Sequence, residues 1–177
     1  KDVPLDGLLA GMQTGIKRLR SIVDDMLDVS MIDNDLLKLN FQPIQIETIL
    51  EILQRDLGET IAKRKQTLEV RQFEGSKQWI YVDSGRIMQA IRNILENAIK
   101  YTPDGGRITV DGRTLPGLIE VTITDTGIGI SLENQAVIFE KFGQLGRLEL
   151  HSTGKTKFKG DGPGLGLSIA RGILQAH

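Results

Sequence analysis

One stretch of the chain, residues 89–101, restricts the fold and the chemistry more than any other. It reads Gln-Ala-Ile-Arg-Asn-Ile-Leu-Glu-Asn-Ala-Ile-Lys-Tyr. Apolar residues in it and just before it recur with helical spacing, at positions 87, 91, 94, 95 and 98. The pattern therefore predicts a helix with one face packed in a hydrophobic core.

A polar stripe runs beside this apolar face. Its four members follow each other in steps of three and four residues, which places them on one side of a helix: Gln89, Asn93, Asn97 and Lys100. Asn disfavours helix interiors, so two of them one turn apart require a reason beyond helix formation. Carboxamides and an ammonium suit a hydrated Mg²⁺ and phosphate oxygens, because Mg²⁺ takes oxygen ligands and usually keeps several waters. A solvated helix face is the alternative for the stripe alone.

A glycine-containing turn follows a predicted strand. Asp125–Gly129, Asp-Thr-Gly-Ile-Gly, comes directly after the alternating residues Leu118–Thr124. A carboxylate at this strand end suits the exocyclic amine of adenine, and the glycines let the backbone approach a planar ligand. An ordinary Asp-Gly turn is the alternative.

Two further segments complete the set. Ile138–Phe142 places two aromatic residues around Lys141, which by itself indicates core packing with a surface lysine. Gly160–Leu167 has glycine at every second position and leads into the apolar run Leu167–Leu174. A Gly-rich loop that opens a helix offers free backbone N–H groups at the positive end of the helix dipole. The last segment is therefore predicted to bind phosphate.

The composition excludes several classes of protein. The 177 residues, 40% of them hydrophobic, suffice for one large domain or for a helical segment plus a domain. With 22 basic and 23 acidic residues, nothing favours bulk electrostatic binding to nucleic acid. Cysteine is absent, so disulfides and thiolate chemistry are excluded. No apolar run reaches about 18 residues, so we expect no transmembrane helix and no membrane contact.

Taken in order, these segments resemble the ATP-binding catalytic domain of sensor histidine kinases, which has the Bergerat or GHKL fold. Asn93–Pro103 matches the N box, N-x-x-x-N-A-x-K-Y-T-P, and Asp125–Gly129 matches the G1 box. Phe139–Phe142 matches the F box and Gly162–Leu167 the G2 box. Four ordered motifs with family-like spacing make the resemblance specific. Upstream, Arg18–Ser30 looks like the second helix of the dimerisation and phosphoacceptor domain.

The resemblance implies an α+β fold, a two-layer α/β sandwich with a mixed sheet and helices on one face, preceded by a long bundle helix. Residues 1–40 are assigned to the second dimerisation helix, with a linker to about 46. Residues 47–177 are assigned to the catalytic ATP-binding domain, which we expect to lack its C-terminal strands. A heptad seam supports the bundle helix: Leu9, Met12, Ile16, Leu19, Val23 and Met26. A single helix packed on the following domain is the alternative.

Local patterns predict the remaining elements. They are a helix from Glu47 to about Arg64, strands Thr67–Phe73 and Trp79–Val82, a hairpin of Arg107–Arg113 and Leu118–Thr124, and helices Leu132–Lys141 and Leu167–Ala176. Asp83 is the expected N-cap of the Asn-bearing helix, and Asp2 and Pro4 suit the start of the first helix. Residues 143–161 have no apolar period and are predicted to form a mobile lid.

The resemblance also implies roles for individual residues, with ATP and Mg²⁺ as the ligands. Asn97 is the implied Mg²⁺ ligand, and Asn93 and Lys100 contact phosphates, so these three are the implied catalytic residues. The other implied nucleotide contacts are Tyr101 beside the nucleotide, Asp125 on the adenine amine, Gly127 and Gly129 around the base, Lys141 from the F box, and Gly162, Gly164, Leu165 and Gly166 at the phosphates.

Position 93 separates two chemistries on this fold. ATP-hydrolysing relatives such as DNA gyrase and the mismatch-repair ATPases carry a Glu there, which activates water as a general base. Asn93 has no basic function near neutral pH. Glu96 is adjacent to Asn97 in sequence, and its side chain faces elsewhere because a helix turns about 100° per residue. The site therefore resembles one that holds ATP without hydrolysing it.

The chain departs from the family pattern in three ways. No phosphoacceptor motif appears, and neither His151 nor His177 matches one, so both are interpreted as surface residues. Pro163 stands where Thr is common and removes one backbone N–H donor. The family continues after the last helix with a Gly-rich strand hairpin, whereas this sequence stops at His177. Either the fragment is truncated or the fold is finished differently, and an unfinished sheet would leave an unpaired edge.

The implied function is an ATP-dependent protein histidine kinase of a two-component system, acting on a histidine outside this chain. The implied partners are a response regulator, the phosphoacceptor helix of the parent kinase and a second copy through the N-terminal helix. The expected location is the cytoplasm. Full-length relatives often carry membrane spans or sensor domains upstream, which leaves a membrane-anchored parent protein open. A GHKL-type ATPase and a non-catalytic signalling adaptor of the same fold are the alternatives.

Overall fold

The structure, a computed structural model, describes residues 5–135, 137–141 and 164–177. It divides into two compact units, Lys1–Leu37 and Lys38–His177. Several predictions fall outside the described residues: those on Asp2, Pro4, Phe142, the lid at 143–161 with His151, Gly162 and Pro163.

The first unit is one long helix, α1 (Leu5–Asp33). It ends in a Schellman motif, in which Asp35 adopts a φ of 54° and the Leu36 N–H donates to the Met31 carbonyl at 2.8 Å. The predicted apolar seam is present and solvent-exposed in the single chain: Leu9 49%, Met12 57%, Ile16 64%, Leu19 64%, Val23 48% and Met26 48%. No helix among the described residues is long and apolar enough to cross a membrane.

The described residues of the second unit form nine elements. In chain order they are β1 (Gln42–Gln45), α2 (Ile46–Lys63), β2 (Thr67–Val70), β3 (Trp79–Val82), α3 (Ser84–Tyr101), β4 (Arg107–Leu115), β5 (Leu118–Asp125), α4 (Leu132–Gln135) and α5 (Gly166–Ala176). In the part of the chain that the structure describes, the strands form a two-stranded sheet, β1–β3, and a three-stranded sheet, β2–β4–β5.

The three-stranded sheet is mixed, as the family resemblance predicts. β2 runs parallel to β4, and β5 runs antiparallel to β4 through a turn at Pro116-Gly117, where Gly117 has a φ of 79°. The register sets Ile108 at the start of β4 opposite Asp125 at the end of β5. This pairing places the acidic end of β5 beside the loop that leaves α3.

The core lies between the helices and the sheets. Its buried members come from α2, α3 and β4: Ile46, Ile49, Leu50, Leu53, Leu57, Ile61, Ile87, Ile91, Leu95, Ala98, Ile99, Ile108 and Val110. Helix α5 contacts α3 and buries Ile169, Ala170 and Ile173. Burial of these apolar side chains fixes α3 as the central element of the second unit.

The structure differs from the sequence predictions at several element bounds. The predicted linker contains strand β1, whose Pro43 and Gln42 are exposed, as befits an edge strand that tolerates proline. Strand β2 ends at Val70 rather than Phe73, and α4 ends at Gln135, with turns at 137–139 where helix was predicted to continue to Lys141. The prediction for β3 was correct at both ends.

Asp83 caps the N-terminus of α3, as predicted. Its Oδ1 accepts a hydrogen bond from the Arg86 N–H at 3.0 Å, and its Oδ2 accepts one from the Asn40 N–H at 2.9 Å. Partial burial acts to raise the pKa of this carboxyl group, but the two backbone donors and the charges of Arg86 and His177 lower it overall. The carboxylate thus joins the entry of the unit to the start of α3.

We expect Asp83→Ala to lower the free energy of unfolding by about 0.5–2 kcal/mol, because the N-cap acceptor is lost. A carboxyl group with a lowered folded pKa stabilises the protein above its unfolded pKa of about 3.9, and this contribution is lost as the pH falls through the folded pKa. Chemical denaturation at pH 7 and at pH 3 measures both effects. Asp83→Asn, which keeps one acceptor oxygen but does not titrate, should retain much of the cap and lose the pH dependence.

Candidate nucleotide-binding site

The polar stripe of α3 forms one wall of the candidate site. Gln89, Asn93, Asn97 and Lys100 are all half-buried, whereas Glu96 is exposed. The stripe is therefore not an open solvated face. Gln89 accepts a hydrogen bond from the Arg86 guanidinium at 2.9 Å, at the end of the stripe nearest the helix start.

The start of α5 contacts this stripe. The Asn93 amide donates to the Gly166 carbonyl at 3.1 Å, although the two residues are 73 positions apart. Helix α5 has no side-chain N-cap among the described residues, and Leu165 before it is fully buried. Gly164 has a φ of 73°, which favours glycine. The first backbone N–H groups of α5 are thus held near Asn93 without a side-chain acceptor, an arrangement suited to an anion.

The turn after β5 packs against the other end of α3. The Ile128 N–H donates to the Tyr101 carbonyl at 3.2 Å. A Cβ at Gly127 would lie 2.6 Å from that carbonyl oxygen, so only glycine fits. Asp125 is exposed, and its Oδ1 accepts the Gly127 N–H at 2.8 Å. The second carboxylate oxygen remains available to a ligand.

Thr126 fixes this turn to β4, a role that sequence reasoning missed. Its hydroxyl accepts the Arg107 N–H at 3.0 Å, and its own N–H donates to the Arg107 carbonyl at 3.0 Å. Sequence gives only one signal for such a role, the presence of a hydroxyl residue between Asp125 and Gly127. The two bonds make the turn an extension of the sheet.

Two cations lie beside aromatic rings near these segments. The Lys100 ammonium is 5.0 Å from the centroid of the Tyr101 ring, and the Arg171 guanidinium is 5.9 Å from that of Phe139. The second contact joins the F-box segment to α5. Lys141 is exposed two residues further on.

The described residues offer few protein ligands for Mg²⁺. Among the described residues, no group of three His, Cys, Asp or Glu side chains could hold a metal ion. No hydrogen bond between described residues involves the half-buried Asn97 carboxamide. One free carboxamide oxygen suits an ion that keeps waters and binds ligand phosphates, which is how Mg²⁺ is usually held. The donor set fits Mg²⁺ delivered with a nucleotide and does not fit a cation held by protein alone.

Comparison with known proteins identifies the family. Residues 82–177 match the family described as histidine kinase-, DNA gyrase B-, and HSP90-like ATPase. The adaptive-response sensory kinase SasA of Synechococcus elongatus is 29% identical over 163 residues, which is 92% of this chain and 40% of that protein.

Solved structures agree on the fold. Full-length ShkA in complex with AMPPNP has a TM-score of 0.80 at 22% identity, and the match covers 99% of this chain and 34% of that one. Histidine kinase ThkA in complex with the response regulator protein TrrA has a TM-score of 0.63 at 21% identity and covers 80% of this chain and 42% of that one.

The chain belongs to the family of histidine kinase-, DNA gyrase B- and HSP90-like ATPases. The resemblance drawn from the four sequence motifs and the predicted α+β fold are both confirmed. The chain spans 40% of the length of SasA.

Proposed function

We propose that this chain binds Mg-ATP along the polar side of α3 and transfers the γ-phosphoryl group to a histidine on a helix outside this chain. It would thereby act as the catalytic part of a protein histidine kinase in two-component signalling. Two hydrogen bonds carry the proposal: the Asn93 amide donates to the Gly166 carbonyl, and the Ile128 N–H donates to the Tyr101 carbonyl. The segments that match the G1 and G2 boxes, far apart in the chain, therefore both contact the helix that carries the N box.

The adenine end of the site lies at the C-terminus of α3. Asp125 accepts the exocyclic amine of adenine through its second oxygen, since the first is held by the Gly127 N–H at 2.8 Å. Gly127 and Gly129 leave room for the base, and the Tyr101 ring packs beside the nucleotide. Specific recognition follows because a buried amine must meet an acceptor.

The phosphate end lies toward Asn93 and the start of α5. Lys100 and Asn93 donate to phosphate oxygens, and Asn97 holds Mg²⁺ through its carboxamide oxygen. Gly164, Leu165 and Gly166 present backbone N–H groups to the phosphates, with Gly162 and Lys141 as further contacts implied by the family. A bound Mg²⁺ neutralises charge at the phosphates.

The groups around Asn93 favour transfer over hydrolysis. An attacking group must be in line and within about 3–3.5 Å of the phosphorus. Water would need a general base, but Asn93 is not basic and donates its amide to Gly166. Glu96 is exposed, whereas Asn93 is half-buried. A histidine that is itself the nucleophile needs no such base.

The partners follow from this chemistry. A phosphohistidine is a donor to an aspartate-bearing response regulator, and the ThkA–TrrA complex is one such pairing in a protein of the same fold. The AMPPNP complex of ShkA likewise supports an adenine nucleotide as the ligand. The phosphoacceptor helix of the parent kinase is the substrate, and α1 provides the contact to a second copy.

The expected result with ATP radiolabelled at the γ-phosphate is label on an added phosphoacceptor domain of the parent kinase, and none on this chain. Asn97→Ala should abolish both the transfer and the dependence of ATP affinity on Mg²⁺, measured by calorimetry with and without EDTA. Phosphate release without an acceptor would instead identify a GHKL-type ATPase. Absence of nucleotide binding would identify an adaptor that keeps only the fold.

A further inference from the structure

The C-terminus of α3 cannot cap itself in the usual way. Thr102 precedes Pro103, which disfavours helical and left-handed backbone at Thr102, and its φ and ψ are −88° and 129°. No left-handed glycine therefore follows the helix to satisfy its last carbonyls. The Thr102 N–H bonds to Ala98, but the carbonyls of Ile99 and Thr102 require donors from elsewhere.

Two side chains from the connection between α2 and β2 supply those donors. The Gln66 amide donates to the carbonyls of Thr102 at 2.7 Å and Ile99 at 3.0 Å. The Arg64 guanidinium donates to the same two carbonyls, at 2.9 Å and 3.2 Å, and also bonds to Asp104. A cation at this helix end also complements the negative end of the dipole.

These carbonyls lie immediately next to the adenine end of the candidate site. Tyr101, between Ile99 and Thr102, accepts the Ile128 N–H at 3.2 Å, and its carbonyl oxygen leaves space only for glycine at position 127. A shift of the last turn of α3 would therefore move the turn that carries the Asp125 carboxylate. The contacts run without a gap from Gln66 through Tyr101 to Asp125.

Gln66 is also costly to bury. It is 7% exposed, and its Oε1 has no hydrogen-bond partner among the described residues. An unpartnered buried polar atom destabilises a fold, and an apolar residue of the same size would avoid that cost. Thr102, whose carbonyl accepts from Gln66, is fully buried. Its hydroxyl likewise has no hydrogen-bond partner among the described residues. The NH₂ group of Gln66 thus satisfies the carbonyls of Ile99 and Thr102, while its Oε1 is buried at a cost.

We propose that Gln66, assisted by Arg64, is a positioning residue for adenine recognition: it holds the last turn of α3 where Tyr101 and the Asp125 turn fit the base. The inference rests on the proposed nucleotide site. It assigns the cap a role in base specificity, since the turn after Asp125 bonds to the last turn of α3 at Tyr101.

The test is Gln66→Met, which keeps the length and volume of the side chain and removes the donor. We expect ATP affinity to fall by roughly five- to tenfold. The preference for ATP over inosine triphosphate, which has a carbonyl in place of the amine, should fall with it. Arg64→Lys keeps the charge but loses the paired N–H donors of the guanidinium, so it should reduce the same preference. This second variant tests the proposal if Gln66→Met does not fold.

Arg92→Met is the matched control. It breaks the 2.6 Å ion pair between Arg92 and Asp56, which also joins α3 to α2 but lies away from the helix end. The control should lower thermal stability and leave the ATP-to-inosine triphosphate ratio unchanged. A ratio unchanged in both folded Gln66→Met and Arg64→Lys overturns the inference. If the wild-type chain binds no ATP, the proposed function itself fails, which is a separate result.

Discussion

Asp125→Asn is expected to weaken Mg-ATP binding by about 1–3 kcal/mol, or roughly 5- to 150-fold. One carboxylate oxygen of Asp125 already accepts the Gly127 N–H at 2.8 Å. The Asn carbonyl would take over that bond and leave its NH₂ group facing the adenine amine. Two donors would then oppose each other in a site from which the base excludes water.

Calorimetry with ATP and with inosine triphosphate measures this effect and its cause. The variant should lose the preference for ATP, because the carbonyl of inosine triphosphate accepts from the new NH₂ group. Asp111→Asn is the matched control, since Asp111 on β4 also accepts the N–H of a following glycine, Gly112, at 2.7 Å. It should bind ATP like the wild type. Undiminished ATP binding by Asp125→Asn would show that the base is read elsewhere.

Sequence patterns predicted the central helix well because several independent signals agree there. The apolar period, the Asp83 cap and the Thr102-Pro103 stop all act locally, and α3 runs from Ser84 to Tyr101 as these signals require. Strand β3 was likewise bounded correctly, and its four residues alternate between exposed and half-buried.

Prediction failed where local pattern and tertiary pairing disagree. Pro43 favours a loop by its lack of an N–H, yet β1 forms because its inward residue Ile44 packs on the core beside Ile80. At α4 the aromatic pattern of residues 138–142 suggested a continuing helix. The chain turns there instead, and Phe139 packs against Arg171 of α5.

The residue types of the candidate site were readable from sequence, but its assembly was not. Asn93, Asp125 and the glycines stand out by composition, whereas the Asn93–Gly166 bond spans 73 residues. Gln66 gave no local signal, because a polar residue after a helix is ordinary. Its role depends on the C-terminus of α3, which begins 33 residues later in the chain and has no left-handed glycine to satisfy its last carbonyls.

Replacing both Leu19 and Val23 by Glu is expected to abolish self-association through α1 while the second unit stays folded. The two side chains are 64% and 48% exposed in the single chain and belong to the six-residue apolar seam. An amphipathic helix with such a seam is stable only when a partner covers it, at about 25 cal/mol per Å² of apolar surface buried. Carboxylates in the seam would have to lose their hydration on association.

Sedimentation equilibrium over a range of concentrations distinguishes the outcomes. The wild type should associate, and the double variant should remain monomeric with unchanged ATP affinity. The matched control is the double variant Thr14→Glu and Ser21→Glu. It adds the same two negative charges to α1, but at heptad positions on the side of the helix opposite the seam. That control should still associate. A wild-type chain that stays monomeric at high concentration would contradict the assignment of α1 to a bundle, because an uncovered seam of six apolar residues would then have no partner in a second copy.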